Sequence, residues 1–403
     1  MLKSDFSKQI AVLWMILASG TVYFTLLNMK VSMIVLLALA ILCALKANCM
    51  VVFTKRNRVV CFFFLILIAI NSLINLSNGF LVEDFIIVMI KLLSVALVAS
   101  SLTESQFQNY YIKFISIIAL ISVVCWLLTS FGISIPLSRR VYVTEQYFEG
   151  AFYYIYDPGK MFYRNKGLFW EPGLYQIFLN LGIVFALNRI TKGEENIRKY
   201  VGIILLLVVT VLTTQSSTGY ICLAIVLIYA LLFVYVPDKS LGFMRRNGFR
   251  FIIIAGIIGL LLVENNIGIL EQKVINQGGS YTTRMDDTIG CLKASLENPV
   301  LGTGWFADNF REVTMKYGVA YNNSSCLGAI FVRFGYPLAL VFLITLFIGI
   351  KRLLAINFIR ALVIYLFVLL SFATESVYIT PVFLIMFMQF QTETQNSMEI
   401  EEV

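Results

Sequence analysis

A short stretch of the sequence, RNKGLFWEPGLYQ at 164–176, gathers charged groups at one place. Arg164 and Lys166 supply two positive charges, and Glu171 adds a carboxylate beside Trp170. Cationic side chains bind anionic oxygens, and arginine does so through two parallel hydrogen bonds. The apolar run that follows predicts a helix. The charges therefore stand at a helix entrance, where they indicate a site for an anionic ligand.

Part of this stretch has a purely structural explanation. Pro172 fits the first turn of a helix, where its missing N–H costs nothing. Glu171 would then be the N-cap, with its carboxylate near the positive end of the helix dipole. Trp170 suits a membrane–water interface. Nothing about a helix start requires Arg164, so this residue is the strongest sign of a binding site.

Composition excludes a soluble protein. The 403 residues are 59% hydrophobic and only 13% charged, whereas soluble domains carry about 25% charged residues. The net charge of +8 is better explained by cytoplasmic anchoring loops than by nucleic-acid binding. The sequence contains no histidine, which removes the commonest acid–base residue and the commonest metal ligand. We expect neither a metal site nor a cofactor.

The whole chain, 1–403, is predicted to be a single integral membrane domain. Its apolar segments predict an all-α polytopic fold of about 12 transmembrane helices, each needing roughly 17–25 residues. The segments lie at 10–28, 31–53, 59–76, 85–101, 110–132, 171–189, 200–215, 218–236, 250–268, 326–350, 357–373 and 379–391.

Lysine and arginine collect in alternate short loops, which predicts a cytoplasmic N-terminus and a cytoplasmic C-terminus. Two long segments, 133–170 and 269–325, then lie on the outer side of the membrane. Long loops in compact proteins often carry function. Their basic residues suggest an anionic ligand, with contact to lipid headgroups as the alternative.

Two ionisable residues are predicted to lie within membrane helices. Lys91 and Arg333 each sit about 10 Å from the outer end of a span, at 1.5 Å per residue. Such groups need a polar cavity or a partner. Both could line one outward-facing cavity, or they could extend to the headgroups. Near Arg333, Gly335 and Pro337 predict an irregular helix.

The two long loops have distinct patterns. Residues 285–297 predict an amphipathic helix with Ile289, Leu292 and Leu296 on one face. In the following NPVLGTGW, Gly302 and Gly304 would allow close backbone approach. The first loop, VYVTEQYFEGAFYYIYDPGKMFYRN, is rich in aromatic residues. It could stack on sugars or form a helix lying on the bilayer.

Four stretches together resemble the bacterial O-antigen polymerase and ligase superfamily, and most closely the Wzy-type O-antigen polymerases. They are RNKGLFWEPGLY, TTQSSTGYICLAIVL, TTRMDDTIGCLKASLENPVLGTGW and NNSSCLGAIFVRFGYP, in this order. The resemblance covers roughly residues 130–350. It implies a GT-C-like fold in the bacterial inner membrane, with a periplasmic active site.

The resemblance also implies a reaction. A hydroxyl of one lipid-linked repeat unit attacks the anomeric carbon of a glycan on undecaprenyl pyrophosphate. Arg164 and Arg284 would bind the pyrophosphate, and Glu171 would serve as the base, with Asp286 and Asp287 as rivals. The expected substrate-binding residues are Arg333, Lys91, Lys166, Tyr163, Trp170 and Asn323. Membrane lipid and a chain-length regulator protein are further expected partners.

The sequence departs from the family pattern at two places. Ligases of this superfamily carry a histidine at the start of the tenth-span motif, where this chain has Ser324 and neighbouring asparagines. Many relatives have Ser-Arg-Gly where this chain has Ser217, Thr218 and Gly219. Both differences favour a polymerase. A ligase, or a flippase for lipid-linked oligosaccharides, remains the alternative.

Overall fold

The computed structural model describes residues 2–22, 24, 29–46, 54–74, 82–143, 146–157, 164–193, 197–234, 279–304, 309–319, 323 and 325–391. Helices dominate these residues, as the sequence predicts. They are α1 Leu2–Leu17, α2 Met29–Lys46, α3 Lys55–Ile74, α4 Val82–Ser100, α5 Glu104–Ser130, α6 Pro172–Thr191, α7 Ile197–Thr213, α8 Ser217–Phe233, α9 Gly279–Ser295, α10 Asn309–Met315, α11 Cys326–Leu354, α12 Phe358–Thr374 and α13 Pro381–Leu384.

Three of the helices described are long and apolar enough to cross a membrane, namely α5, α6 and α11. Several shorter apolar helices accompany them. The predicted span at 250–268 lies outside the described residues. The predicted span at 379–391 is wrong, because α13 has four residues and is followed only by a 3₁₀ turn at Ile385–Phe387. About 20 residues of helix are needed to cross.

The chain forms two compact units, and the second contains 115–285 and 356–371. Its central element is α6, whose apolar residues are almost all buried. Helix α6 packs against α7 and α8. The approach to α8 is close, because a Cβ at Gly219 would stand 2.9 Å from the Cγ of Gln176. Small residues allow membrane helices to pack in this way.

The first long loop contains a sheet that the all-α prediction did not include. Strands β1 Arg139–Val143, β2 Gln146–Ala151 and β3 Tyr154–Tyr156 pair antiparallel in that order. Tyrosine, phenylalanine and valine favour strands, which explains the sheet. The alternative of a helix lying on the bilayer is therefore wrong for these residues. Strand β3 joins the following segment through the Ile155 amide, which donates to the Gly167 carbonyl at 2.9 Å.

The first unit comprises residues 1–114, 286–355 and 372–403. Within it, α11 is interrupted at Gly335, which has φ +71° and ψ 169°, as the sequence predicts. The turn after α9 fills the interruption. The backbone amides of Thr303 and Gly304 donate to the carbonyls of Val332 and Arg333, respectively. The amide of Tyr336 donates to the Pro299 carbonyl. These bonds satisfy backbone groups that the broken helix leaves open.

Helix α9 begins six residues before the predicted start. The predicted apolar face, with Ile289, Leu292 and Leu296, is 41–66% exposed. Small residues form the buried face instead. Cys291 and Ala294 pack with Phe310, Val313, Val319, Ala329 and Val332. A Cβ at Gly290 would stand 2.8 Å from the Tyr317 carbonyl oxygen, so the close approach requires glycine.

Candidate functional site

The segment that links the sheet to α6 is fixed by one buried asparagine. Asn165 is fully buried, and its Nδ2 donates to Thr213 Oγ1 at 2.9 Å and to Ser122 Oγ at 3.3 Å. Its Oδ1 accepts from the Gly167 amide at 3.0 Å, and its own amide donates to the Thr213 carbonyl at 3.0 Å. Buried amides hold their position firmly when they are this fully bonded.

Arg164 lies beside the C-terminal end of α7. Its Nε donates to the carbonyl oxygen of Thr214, which directly follows the helix, at 3.2 Å. Carbonyls at this end of a helix lack helical partners and carry partial negative charge. Burial lowers the pKa of Arg164, and the nearby positive charge of Arg284 lowers it further, while Glu171 opposes the shift. A guanidinium nevertheless stays charged at neutral pH.

Arg284 reaches the same place from α9. Its Nη1 donates to Thr218 Oγ1 at 3.4 Å, and its Nη2 lies 3.8 Å from Glu171 Oε2. Thr218 is in the first turn of α8, which Ser216 caps by accepting from the Gly219 amide. Arg164, Glu171 and Arg284, predicted as catalytic from separate stretches of sequence, are thus brought together within the second unit.

Glu171 occupies the N-cap position of α6, as predicted, with Pro172 next. Its side chain, however, makes no capping hydrogen bond. The carboxylate is 62% exposed and faces Arg284 instead. Capping therefore does not account for this glutamate, and its carboxylate is open to a ligand.

Lys166 has a different environment from Arg164. It is 1% exposed, donates to the carboxylate of Asp157, and lies 4.1 Å above the ring of Phe148. The rings of Trp170 and Phe148 meet in a T-shaped arrangement, with centroids 5.5 Å apart. The lysine therefore ties the sheet to the segment that carries Arg164.

The remaining predicted residues fall elsewhere. Arg333, Lys91 and Asn323 belong to the first unit, and Tyr163 lies outside the described residues. The Arg333 guanidinium stacks 4.6 Å from the centroid of Phe310. The Asn323 side chain bonds both backbone groups of Ser325 at the start of α11. Lys91 is 8% exposed within α4. Of the rival bases, Asp286 is exposed and Asp287 is buried.

Sequence reasoning missed three residues that build the site, namely Asn165, Thr214 and Thr218. A signal was present in TTQSSTG, where hydroxyl residues crowd the turn between two apolar helices. Gln215 in that turn has φ +49°, which turns the chain sharply between α7 and α8. Among the described residues, no group of three or more Cys, Asp or Glu could hold a metal ion.

Comparison with known proteins adds one finding. Residues 202–343 match the family model described as O-Antigen ligase. This region covers about a third of the chain and includes Thr214, Thr218 and Arg284. The match supports a relationship to the O-antigen ligase and polymerase superfamily, and with the apolar helices it suggests an integral membrane protein of surface polysaccharide biosynthesis. No curated protein and no solved structure matches the chain.

Proposed function

We propose that this protein is an O-antigen polymerase that joins repeat units carried on undecaprenyl pyrophosphate. The observation that carries the proposal is the meeting of Arg164, Arg284 and Glu171 at one corner of the fold. With Lys166 and Asp157, these residues carry three positive charges and two negative ones. A site with excess positive charge and fork-shaped donors suits a pyrophosphate.

The chemistry follows from these groups. The acceptor hydroxyl attacks the anomeric carbon of the donor glycan, a new C–O bond forms, and the bond from that carbon to the pyrophosphate oxygen breaks. Arg164 and Arg284 stabilise the negative charge that develops on the leaving pyrophosphate. Glu171 takes the hydroxyl proton, because it is an exposed carboxylate that faces Arg284 and acts on the charge of Arg164. Arg164 donates to the carbonyl oxygen of Thr214, and Arg284 donates to the Thr218 hydroxyl while facing Glu171, so both guanidiniums are positioned at the site.

Two observations favour a polymerase over a ligase, although the matching family model bears the ligase description. The chain has no histidine, whereas ligases of the superfamily carry one in the tenth-span motif. Thr218 stands where many relatives have arginine, and here it accepts from Arg284. In this proposal the repeat units arrive at the periplasmic face of the inner membrane, and a chain-length regulator acts as a partner.

Deletion of the gene in its host separates the functions, with surface polysaccharide resolved by length on a gel. Loss of a polymerase leaves single repeat units on the lipid core, and we expect this pattern. Loss of a ligase leaves none, and loss of a flippase traps the units inside the cell. Either of the latter two patterns would overturn the proposal. Complementation with the intact gene is the control.

A further inference from the structure

Exposed apolar residues form a stripe on α5 and continue past the end of this helix, and we call this surface the apolar edge. The outward face of this helix carries Ile117, Leu120, Val124 and Leu127, each between 43% and 55% exposed. Their spacing of three and four residues places them on one stripe. Phe131, the first residue after the helix, continues the stripe and is 79% exposed. On a helix long and apolar enough to cross a membrane, such a stripe faces lipid.

The apolar edge includes the loop after α5, which carries Ile133 and Leu137, and the tip of the β2–β3 hairpin, which carries Phe152. Ile133, Leu137 and Phe152 are 52%, 74% and 69% exposed. Tyr153 Oη donates to the Pro136 carbonyl, which ties the hairpin tip to the loop after α5. Behind this bond, Cys125, Ile135 and Tyr154 form a small core, against which Tyr153 packs. The exposed apolar side chains therefore belong to one packed body within the second unit.

Two residue choices at this edge are unusual. Leu137 has φ +61°, a conformation that costs a residue with a side chain roughly 1–2 kcal/mol. Phe152 and Tyr153 occupy the hairpin turn, where glycine, asparagine or aspartate is usual. Strained or unusual residues that gather at one place indicate a function there.

We propose that Phe131, Leu137 and Phe152 insert into the headgroup region of the bilayer and anchor the sheet to the membrane surface. The stripe on α5 leads directly into this edge, so lipid is the occupant that the structure favours. The exposed Arg139 follows Leu137 closely and suits a phosphate headgroup, whereas its neighbour Arg140 pairs with Glu149.

The anchor has a consequence for the neighbouring segment. Strand β2 supplies Phe148 to Lys166, Asp157 directly after β3 accepts from the same lysine, and Ile155 of β3 donates to the Gly167 carbonyl. A hairpin fixed at the bilayer surface would therefore hold the segment from Arg164 to Glu171 at that level. The proposal does not depend on the reaction catalysed.

Photo-crosslinking tests the anchor on the full-length protein in nanodiscs of defined phospholipid. Benzoylphenylalanine replaces Phe152 in one variant and Leu137 in a second. The same residue at Leu127, on the lipid-facing stripe, is the positive control. We expect irradiation to add the mass of one phospholipid at 152 and at 137, with yields comparable to that at 127. Adducts at 127 with none at 152, or with none at 137, would overturn the proposal.

Discussion

The carboxylate of Glu171 and the guanidinium of Arg284 lie 3.8 Å apart, at a distance longer than a charge-assisted hydrogen bond of about 2.8 Å. Glu171 is also well exposed, and Arg284 has a second partner in Thr218. The pair is therefore held loosely. An incoming pyrophosphate can take the guanidinium from the carboxylate, and the freed carboxylate can then accept a proton.

The first prediction concerns Glu171. Glu171→Gln keeps the size of the side chain but cannot accept a proton, so we expect chain extension to fall about 10²–10⁴-fold, the usual contribution of a general base. Donor binding should change little, because both arginines remain. The measurement is the rate of extension by purified protein with lipid-linked repeat units. Glu149→Gln, which removes a carboxylate of the sheet, is the control and should leave the rate near that of the native protein.

The second prediction separates charge from geometry at Arg164. Arg164→Ala should weaken donor binding by about 10- to 100-fold, which corresponds to roughly 1.5–3 kcal/mol for a hydrogen bond to a charged group. Arg164→Lys keeps the charge but cannot form two parallel hydrogen bonds, so its donor affinity should lie between those of the alanine variant and the native protein. The exposed Lys316→Ala serves as the matched control. Equal affinities in the alanine variant and the control would show that Arg164 does not bind the donor.

The third prediction concerns the position of Arg164. Asn165→Asp keeps the shape but removes the donors to Thr213 and Ser122, so Arg164 should lose its fixed direction. We expect slower extension, and we expect the loss to be non-additive with Arg164→Ala because both changes act through one residue. A double-mutant cycle on the extension rate, with folding followed by thermal unfolding, is the measurement. Strict additivity would mean that Asn165 supports the fold alone.

The fourth prediction contrasts the two members of a buried ion pair. The Lys166 side chain is 2% exposed and that of Asp157 is 33% exposed. Asp157→Asn leaves a buried charge without its carboxylate and should cost up to about 3–5 kcal/mol. Lys166→Met leaves a carboxylate that water can reach and should cost less. Thermal unfolding of both variants checks the order, and the reverse order would contradict the role given to Lys166.

The fifth prediction tests the interruption of α11. A Cβ at Gly335 would stand 2.4 Å from the Val300 carbonyl oxygen, and φ is +71°. Gly318 also has positive φ, at +79°, but a Cβ there meets nothing within 4 Å. Gly318→Ala should therefore cost about 1–2 kcal/mol from its backbone alone. Gly335→Ala should cost clearly more, as measured by unfolding, and equal losses would show that the turn does not pack as described.

Sequence alone singled out residues that the structure brings together where one short stretch carried the signal. Arg164 and Glu171 stood out because a helix start does not need both charges. The break at Gly335 followed from glycine and proline within an apolar run. The helices themselves followed from long apolar segments, because membrane helices satisfy their own backbone groups.

Other features depend on distant contacts that no local pattern reveals. Lys166 resembled Arg164 in sequence, yet it is buried because Phe148 of an unforeseen sheet and Asp157 directly after that sheet contact it. The partnership of Arg284 with Glu171 depends on how the second loop folds back. The aromatic first loop suggested sugar stacking or a helix on the bilayer, and the sheet was not foreseen because it depends on pairing between strands.

The most direct test reconstitutes the purified protein in vesicles with lipid-linked repeat units as the only glycan. The account predicts a ladder of extended products from the native protein and unextended single units from Arg284→Ala, with the variant folded and inserted normally. An unchanged ladder from Arg284→Ala would contradict the account. Failure of the native protein to extend units until a lipid A core acceptor is added would contradict it as well.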